Sequence, residues 1–246
     1  MAEARLLQID YSEKTFRRIL NRYLTRISGV KGLYLTDANL KLRQEFAEDF
    51  LSNPARLSHV LFSDEKLVTL SSPGPTVSWK LPNRTSPRTP TPRFTRKFMI
   101  WGCISLSGVF DVVKVPYGSD GTTTASTYIE LLEDVVRPLL VAHPELEFQQ
   151  DNARCHVAAG PMAYLQLIGK KPMVWPPHSP DFSPVEMVWA RMTGLIGSHL
   201  STHPHPETLI TQAFENIAKS PRMLNRIWME VAENIKFAAE NGGRQR

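Results

Sequence analysis

The stretch Leu146-Glu-Phe-Gln-Gln-Asp-Asn-Ala-Arg-Cys-His156 decides how this chain is read. Its first five residues predict a short strand, and that strand runs straight into an acid, Asp151. Toward the N-terminus, Ser58-His-Val-Leu-Phe-Ser63 predicts a buried strand that also ends on an acid, Asp64. Lys97-Phe-Met-Ile-Trp-Gly-Cys-Ile104 and Val109-Phe-Asp-Val-Val-Lys-Val115 predict two more, joined by Ser105-Leu-Ser-Gly108, a length that suits a hairpin. Thr127 to Leu140 reads as a helix, with Tyr128, Leu131, Leu132, Val135 and Val136 at helical spacing. Toward the C-terminus, a helix is expected between Asp151 and Gly169. It should start late, because Gly160-Pro161 interrupts its expected beginning and proline is poorly tolerated beyond a first turn.

Met173-Val-Trp175 predicts a brief strand. Ser183 then opens a helix with Pro184 in first position and Val185, Val188, Trp189, Met192 and Ile196 as its core stripe. Two further helices are expected, one over Glu207 to Lys219 and one from Ser220-Pro221 through Leu224, Ile227, Trp228, Val231 and Ile235. An earlier helix follows Asp37, with Leu40, Phe46, Ala47, Phe50 and Leu51 on its apolar side. No regular repeat is present. This order predicts an α/β fold with a central mixed sheet flanked by helices.

Composition narrows the class. The 246 residues are 42% hydrophobic and 22% charged, ordinary for a globular chain and wrong for a disordered, collagenous or coiled-coil one. No window of about 20 apolar residues supports a membrane span. The start, Met1-Ala-Glu-Ala-Arg, carries no signal-peptide pattern. Two cysteines, Cys103 and Cys155, are too few for a disulfide framework and suggest a reducing compartment.

Lys plus Arg exceed Asp plus Glu by 29 to 24, a net +5 that permits a polyanionic partner. The excess is local. Between Glu65 and Asp111 lie Lys66, Lys80, Arg84, Arg88, Arg93, Arg96 and Lys97 and no acid. Six prolines between Pro73 and Pro92 make part of that stretch an extended loop, either merely solvated or an arm for phosphates or a partner subunit. At the N-terminus, Ile19, Leu20, Tyr23 and Leu24 recur at helical spacing beyond a candidate N-cap at Ser12. Arg17, Arg18 and Arg22 lie around them, as on a DNA-reading helix or an ordinary surface helix.

Three acids stand out. If the strands before Asp64 and Asp151 are parallel neighbours, both emerge at one sheet edge. Glu186, in the first turn of a later helix, needs only to pass that edge. Three adjacent carboxylates repel unless some are neutral or a divalent cation offsets them. Hard oxygen donors with open water positions suit Mg²⁺. Two ions about 3.5–4 Å apart suit phosphodiester cleavage and transfer. Each acid has a plainer alternative. Ser183-Pro-Val-Glu186 is also a capping box, Asp151-Asn152 a turn, and Asp64 a surface partner for Lys66. Asp181 is a decoy for the third acid, since its Ser179-Pro-Asp-Phe-Ser-Pro184 loop reads as a turn.

Four blocks carry a family resemblance. Gln149-Gln-Asp-Asn-Ala-Arg-Cys-His156 and Trp175-Pro-Pro-His-Ser-Pro-Asp-Phe-Ser-Pro-Val-Glu-Met-Val-Trp189 resemble the signature blocks of the mariner-like DDE transposases. So do Phe62-Ser-Asp-Glu-Lys66 and Met99-Ile-Trp-Gly-Cys103. The 34 residues between Asp151 and Glu186 match the Asp-Asp-Glu branch. The resemblance implies an RNase H-like fold in which Asp64, Asp151 and Glu186 bind two Mg²⁺ or Mn²⁺ ions. It implies cleavage of DNA at transposon ends, followed by attack of the freed 3′-hydroxyl on target DNA. Asn152 and His156 match adjacent motif positions and are assigned to positioning of the site or of DNA; the alternative for His156 is orienting the following helix. Duplex DNA and a homodimer are the implied partners, and the nucleus the implied location.

On this reading, residues 1–56 are a short helical remnant of a DNA-binding region with its linker. Residues 57–246 are the catalytic domain, with a Pro-rich basic insertion over 71–97, where the family carries a segment that clamps a partner subunit. The chain opens at what resembles the last helix of the family's second helix-turn-helix module. Specific reading of transposon ends is therefore expected to be weak unless another chain supplies it. Arg84, Arg88, Arg93, Arg96, Lys97, Arg17, Arg18 and Arg22 are the expected DNA contacts. Two other readings stay open: a catalytically silent, transposase-derived DNA-binding or scaffold protein, and an RNase H-type nuclease acting on hybrids.

Overall fold

The computed structural model describes residues 35–70, 96–116, 123–200 and 203–246. The expected N-terminal helix with Arg17, Arg18 and Arg22, and the loop with Arg84, Arg88 and Arg93, lie outside the described residues. The compact unit runs from Leu35 to Arg246.

Helix α1, Asp37–Ser52, starts where the Thr36 hydroxyl accepts from the Asn39 N–H at 3.2 Å. A 3₁₀ turn, Pro54–His59, leads into strand β1, Val60–Leu70. β2, Arg96–Ile104, and β3, Phe110–Val115, form the expected hairpin, with Gly108 at φ +90° in its turn. The expected helix over 127–140 is longer than its periodicity suggested. It comprises α2, Ala125–Leu131, a π-helical turn, Leu132–Val136, and α3, Arg137–Ala142. β4 is Glu147–Gln149. α4, Ala159–Leu167, does start late, which places Pro161 in its first turn. A 3₁₀ turn at Pro180–Phe182 precedes α5, Pro184–Leu200. α6, Pro206–Ala218, and α7, Pro221–Glu240, complete the unit.

The strands order β3-β2-β1-β4, antiparallel except for the parallel pair β1–β4. Alternating side chains serve two cores. Val60, Phe62, Phe98 and Ile100 join α1, α5, α6 and α7 on one face, through Phe50, Trp189, Phe214 and Trp228. Leu61, Phe148, Met99 and Trp101 join α2, α3 and α4 on the other, through Tyr128, Leu140 and Leu165. This is the predicted mixed sheet between helical layers.

Three local expectations need correction. β1 does not end at Asp64 but continues to Leu70, because Asp64 to Leu70 pair with Arg96 to Gly102 of β2. Met173–Trp175 forms no strand. Met173 N–H reaches Phe148 O at 2.8 Å, but Pro172, Pro176 and Pro177 remove the donors a ladder needs. In α1, Leu51 is exposed and Arg43 is fully buried. The hydrogen bonds of its fork account for the burial of Arg43. It donates to both Asp181 oxygens at 2.8 and 2.7 Å, to Gly243 O at 2.7 Å and to His178 O at 3.1 Å. Its guanidinium also lies over the Phe182 ring, 4.2 Å from the centroid.

Candidate active site

The parallel register of β1 and β4 positions two of the three acids. Phe62 pairs with Gln149, and two residues further along both chains lie Asp64 and Asp151. β4 stops at Gln149 while β1 runs on, so Asp64 lies where its parallel neighbour has peeled away. Strand alternation sends Asp64 to the face of Phe62, under α5, and Glu65 to the face of Leu61, under α2.

On the α5 side, Trp189 Nε1–H donates to Asp64 Oδ2 at 3.0 Å. The indole fits there because the cross-strand partner of Asp64 is Gly102. A Cβ on Gly102 would lie 2.7 Å from the Trp189 ring and 3.0 Å from Phe214. Trp189 is three residues beyond Glu186, so both occupy one helix face. The capping-box alternative for Glu186 is not formed. The Ser183 hydroxyl is buried without a hydrogen-bond partner, and the Ser183 N–H goes to Pro180 O at 3.1 Å.

On the other side, Asp151 Oδ1 accepts from the Ala153 N–H at 2.9 Å and lies 2.7 Å from His156 Nδ1. The His156 contact is a close ion pair, bent away from a linear hydrogen bond. The other ring nitrogen of His156, Nε2, is 3.1 Å from Glu65 Oε1. Tyr128 stacks on the imidazole, with centroids 4.0 Å apart. Asn152 Nδ2 donates to Trp175 O at 2.9 Å, tying the loop after β4 to the segment that leads into α5.

The electrostatics follow from this placement. Burial, then Glu186 and Glu65, push the Asp64 carboxyl up to about 8, against the Trp189 hydrogen bond, which favours its ionised form. Burial also pushes Asp151 upward, but the His156 contact outweighs it and leaves Asp151 below its ordinary value. Burial would lower His156, yet Asp151 and Glu65 hold it protonated up to about 10. Asp64 senses the charges of Glu186 and Asp151, but the three acids do not converge. Among the described residues, no three acid, histidine or cysteine side chains are gathered tightly enough to chelate an ion. Trp189 draws Asp64 one way and His156 draws Asp151 another. The donor set nonetheless fits a hard divalent cation. It consists of carboxylate oxygens, one of them on a buried acid held protonated near neutral pH for want of a counter-charge.

The remaining expected residues separate. Asp181, the decoy for the third acid, is bound by Arg43. Arg96 begins β2, and Lys97 is exposed beside it. Glu65 and Trp189 were not read as site residues, though both signals were available. Glu65 follows Asp64 on a strand, and Trp189 lies at i+3 from Glu186 on a helix. A cavity of about 560 Å³, lined in part by Glu133, Arg137, Tyr164 and Lys170, takes none of the three acids into its wall.

The model of the DDE superfamily endonuclease family matches residues 59–202, which contain all three acids. The chain belongs to that family. It is 28% identical over 213 residues to the Tc3 transposase of Caenorhabditis elegans, a match covering 80% of this chain and 60% of that protein. Its fold is that of the Mos1 transposase. The Mos1 paired-end complex with the left transposon end superposes with a TM-score of 0.76 at 20% identity, covering all of this chain and 75% of that one. The catalytic domain of Mos1 mariner transposase gives 0.63 at 18% identity, over 88% of this chain and all of the domain. The RNase H-like expectation is met by this DDE-family chain.

Proposed function

We propose that this DDE-family chain is a transposase that cleaves duplex DNA and transfers the freed strand in a metal-dependent reaction. One arrangement carries the reading: Asp64 and Asp151 at matching register on neighbouring parallel strands, with Glu186 close enough to raise the Asp64 carboxyl. Asp64, Asp151 and Glu186 would hold Mg²⁺ or Mn²⁺, two ions per site. Such a pair, when bound, activates the attacking oxygen and stabilises the leaving one. Trp189 orients the Asp64 carboxyl, His156 holds one oxygen of Asp151, and Asn152 couples the second-acid loop to the third.

The relatives support substrate and partner. Mos1 is described in paired-end complexes with a transposon end and with Mg or Mn. We extend to this chain transposon ends and target DNA as substrates, a homodimer on DNA, and action in the nucleus. Arg17, Arg18, Arg22, Arg84, Arg88, Arg93, Arg96 and Lys97 are assigned to its phosphate contacts. Phosphate neutralisation makes such binding fall steeply with salt. The test is nicking of supercoiled duplex during Mg²⁺ or Mn²⁺ titration, wild type against Asp151→Asn. Nicking is expected from wild type only. A wild type inert on every duplex with either ion would overturn the proposal.

A further inference from the structure

The side of the site facing α2 holds a chain of contacts that the three-acid reading does not use. Glu65 is a carboxylate whose side chain is only 14% exposed, and its Oε1 meets His156 Nε2 at 3.1 Å. The His156 ring is nearly inaccessible, and its opposite nitrogen meets Asp151 Oδ1 at 2.7 Å. A carboxylate oxygen only accepts, so an imidazole facing carboxylates at both nitrogens carries a proton on each, donating to Glu65 from Nε2 and forming a close, bent ion pair with Asp151 at Nδ1. The ring face is fixed as well. Tyr128 is fully buried against it and donates from its hydroxyl to Gln150 Oε1 at 2.8 Å, while Gln150 Nε2 reaches His156 O at 3.4 Å. The imidazole is therefore held at both ends and on one face.

This has a consequence for Asp151. Its two contacts, from the Ala153 N–H and from His156, both fall on Oδ1. Oδ2 has no hydrogen bond among the described residues and is the oxygen left for a cation. We propose that Glu65 is a positioning residue of the metal site: it anchors His156, which holds Asp151 by Oδ1 and presents Oδ2 to the metal. This rests on the reading of Asp64, Asp151 and Glu186 as metal ligands. Partners of this kind, which fix the orientation of a ligand, commonly govern metal affinity by about 10–100-fold.

The experiment measures Mn²⁺ affinity of the full chain by electron paramagnetic resonance of the free ion, with thermal unfolding in EDTA alongside. Glu65→Ala is expected to weaken Mn²⁺ binding roughly tenfold or more. Glu65→Gln, whose amide oxygen still accepts from Nε2, is expected to recover most of that loss. A carboxylate that acted only by attracting the cation would be lost equally in both variants, and a merely structural residue would lower the melting temperature without moving the affinity. Glu65→Met fills the same space without an acceptor and carries the same expectation if the alanine variant does not fold. Adding His156→Ala to Glu65→Ala is expected to cost no more than His156→Ala alone, as for residues acting in series. Additive losses, or equal losses for Gln and Ala, would overturn the proposal. A wild type and an Asp151→Asn variant that both fail to bind Mn²⁺ would instead overturn the metal-site reading on which it stands.

Discussion

Replacing Asp64 with Asn should stabilise the metal-free protein at neutral pH. In the fold the Asp64 carboxyl titrates at about 8, against an ordinary value of 3.8. The unfolded chain therefore releases this proton near pH 4, while the folded chain keeps it to about pH 8. Between those limits the native state binds more protons, so stability falls as pH rises. At about 1.4 kcal/mol per pH unit, the full difference approaches 6 kcal/mol. Part of that difference comes from the neighbouring charges of Glu186 and Glu65 and is relieved by relaxation and solvent, so the effect of removing the Asp64 charge is smaller, about 2–4 kcal/mol at pH near 8. For a domain of this size that corresponds to roughly 5–15 °C in Tm. Packing changes little in Asp64→Asn, since the amide oxygen still accepts from Trp189. The assay is thermal unfolding of both proteins in EDTA from about pH 4 to pH 8. The curves should meet near pH 4 and diverge as pH rises. Adding Mg²⁺ should raise the wild type alone, because a ligand that binds only the native state stabilises it. A variant less stable than wild type near pH 8, or a gap independent of pH, would refute the reasoning.

Two packing predictions follow from the same geometry. Gly102→Ala forces a Cβ to within 2.7 Å of the Trp189 ring, so it should cost about 1–3 kcal/mol in urea unfolding and slow DNA cleavage by displacing the indole from Asp64. An unchanged urea midpoint would contradict it. Arg43→Ala leaves Asp181 and two carbonyls facing an empty buried site and should cost about 3–5 kcal/mol, with little recovery in Arg43→Lys because a single ammonium cannot reproduce the fork. A loss below about 1 kcal/mol in denaturant titration would show that the fork is dispensable.

Most of the architecture was legible because its signals are local. The apolar run at 60–62 and the short strand pattern of Leu146 to Gln150 marked the strands that lead to the acids, and the stripe Val185, Val188, Trp189, Met192 and Ile196 is buried as read. What sequence could not supply were facts of pairing. β1 continues past Asp64 because β2 offers it partners through Leu70, and the acids are separated by a register only the parallel pair fixes. Arg43 of α1 carries no local signal of burial. It is buried because its partners, Asp181 and Gly243, lie 138 and 200 residues away. The Arg43 fork likewise occupies both oxygens of Asp181, a pairing across the chain that local sequence does not show. Glu65 and Trp189 were readable in principle from strand and helix periodicity, but only once Asp64 was placed on a particular face.

The central claim is that Asp64, Asp151 and Glu186 form one cation site. The most direct measurement is an anomalous difference map from crystals soaked in Mn²⁺, collected on wild type and Asp151→Asn. The account predicts density bounded by these three carboxylates in the wild type and its loss or marked weakening in the variant. Density elsewhere in the unit, or undiminished density at the three acids once Asp151 is replaced, would contradict it.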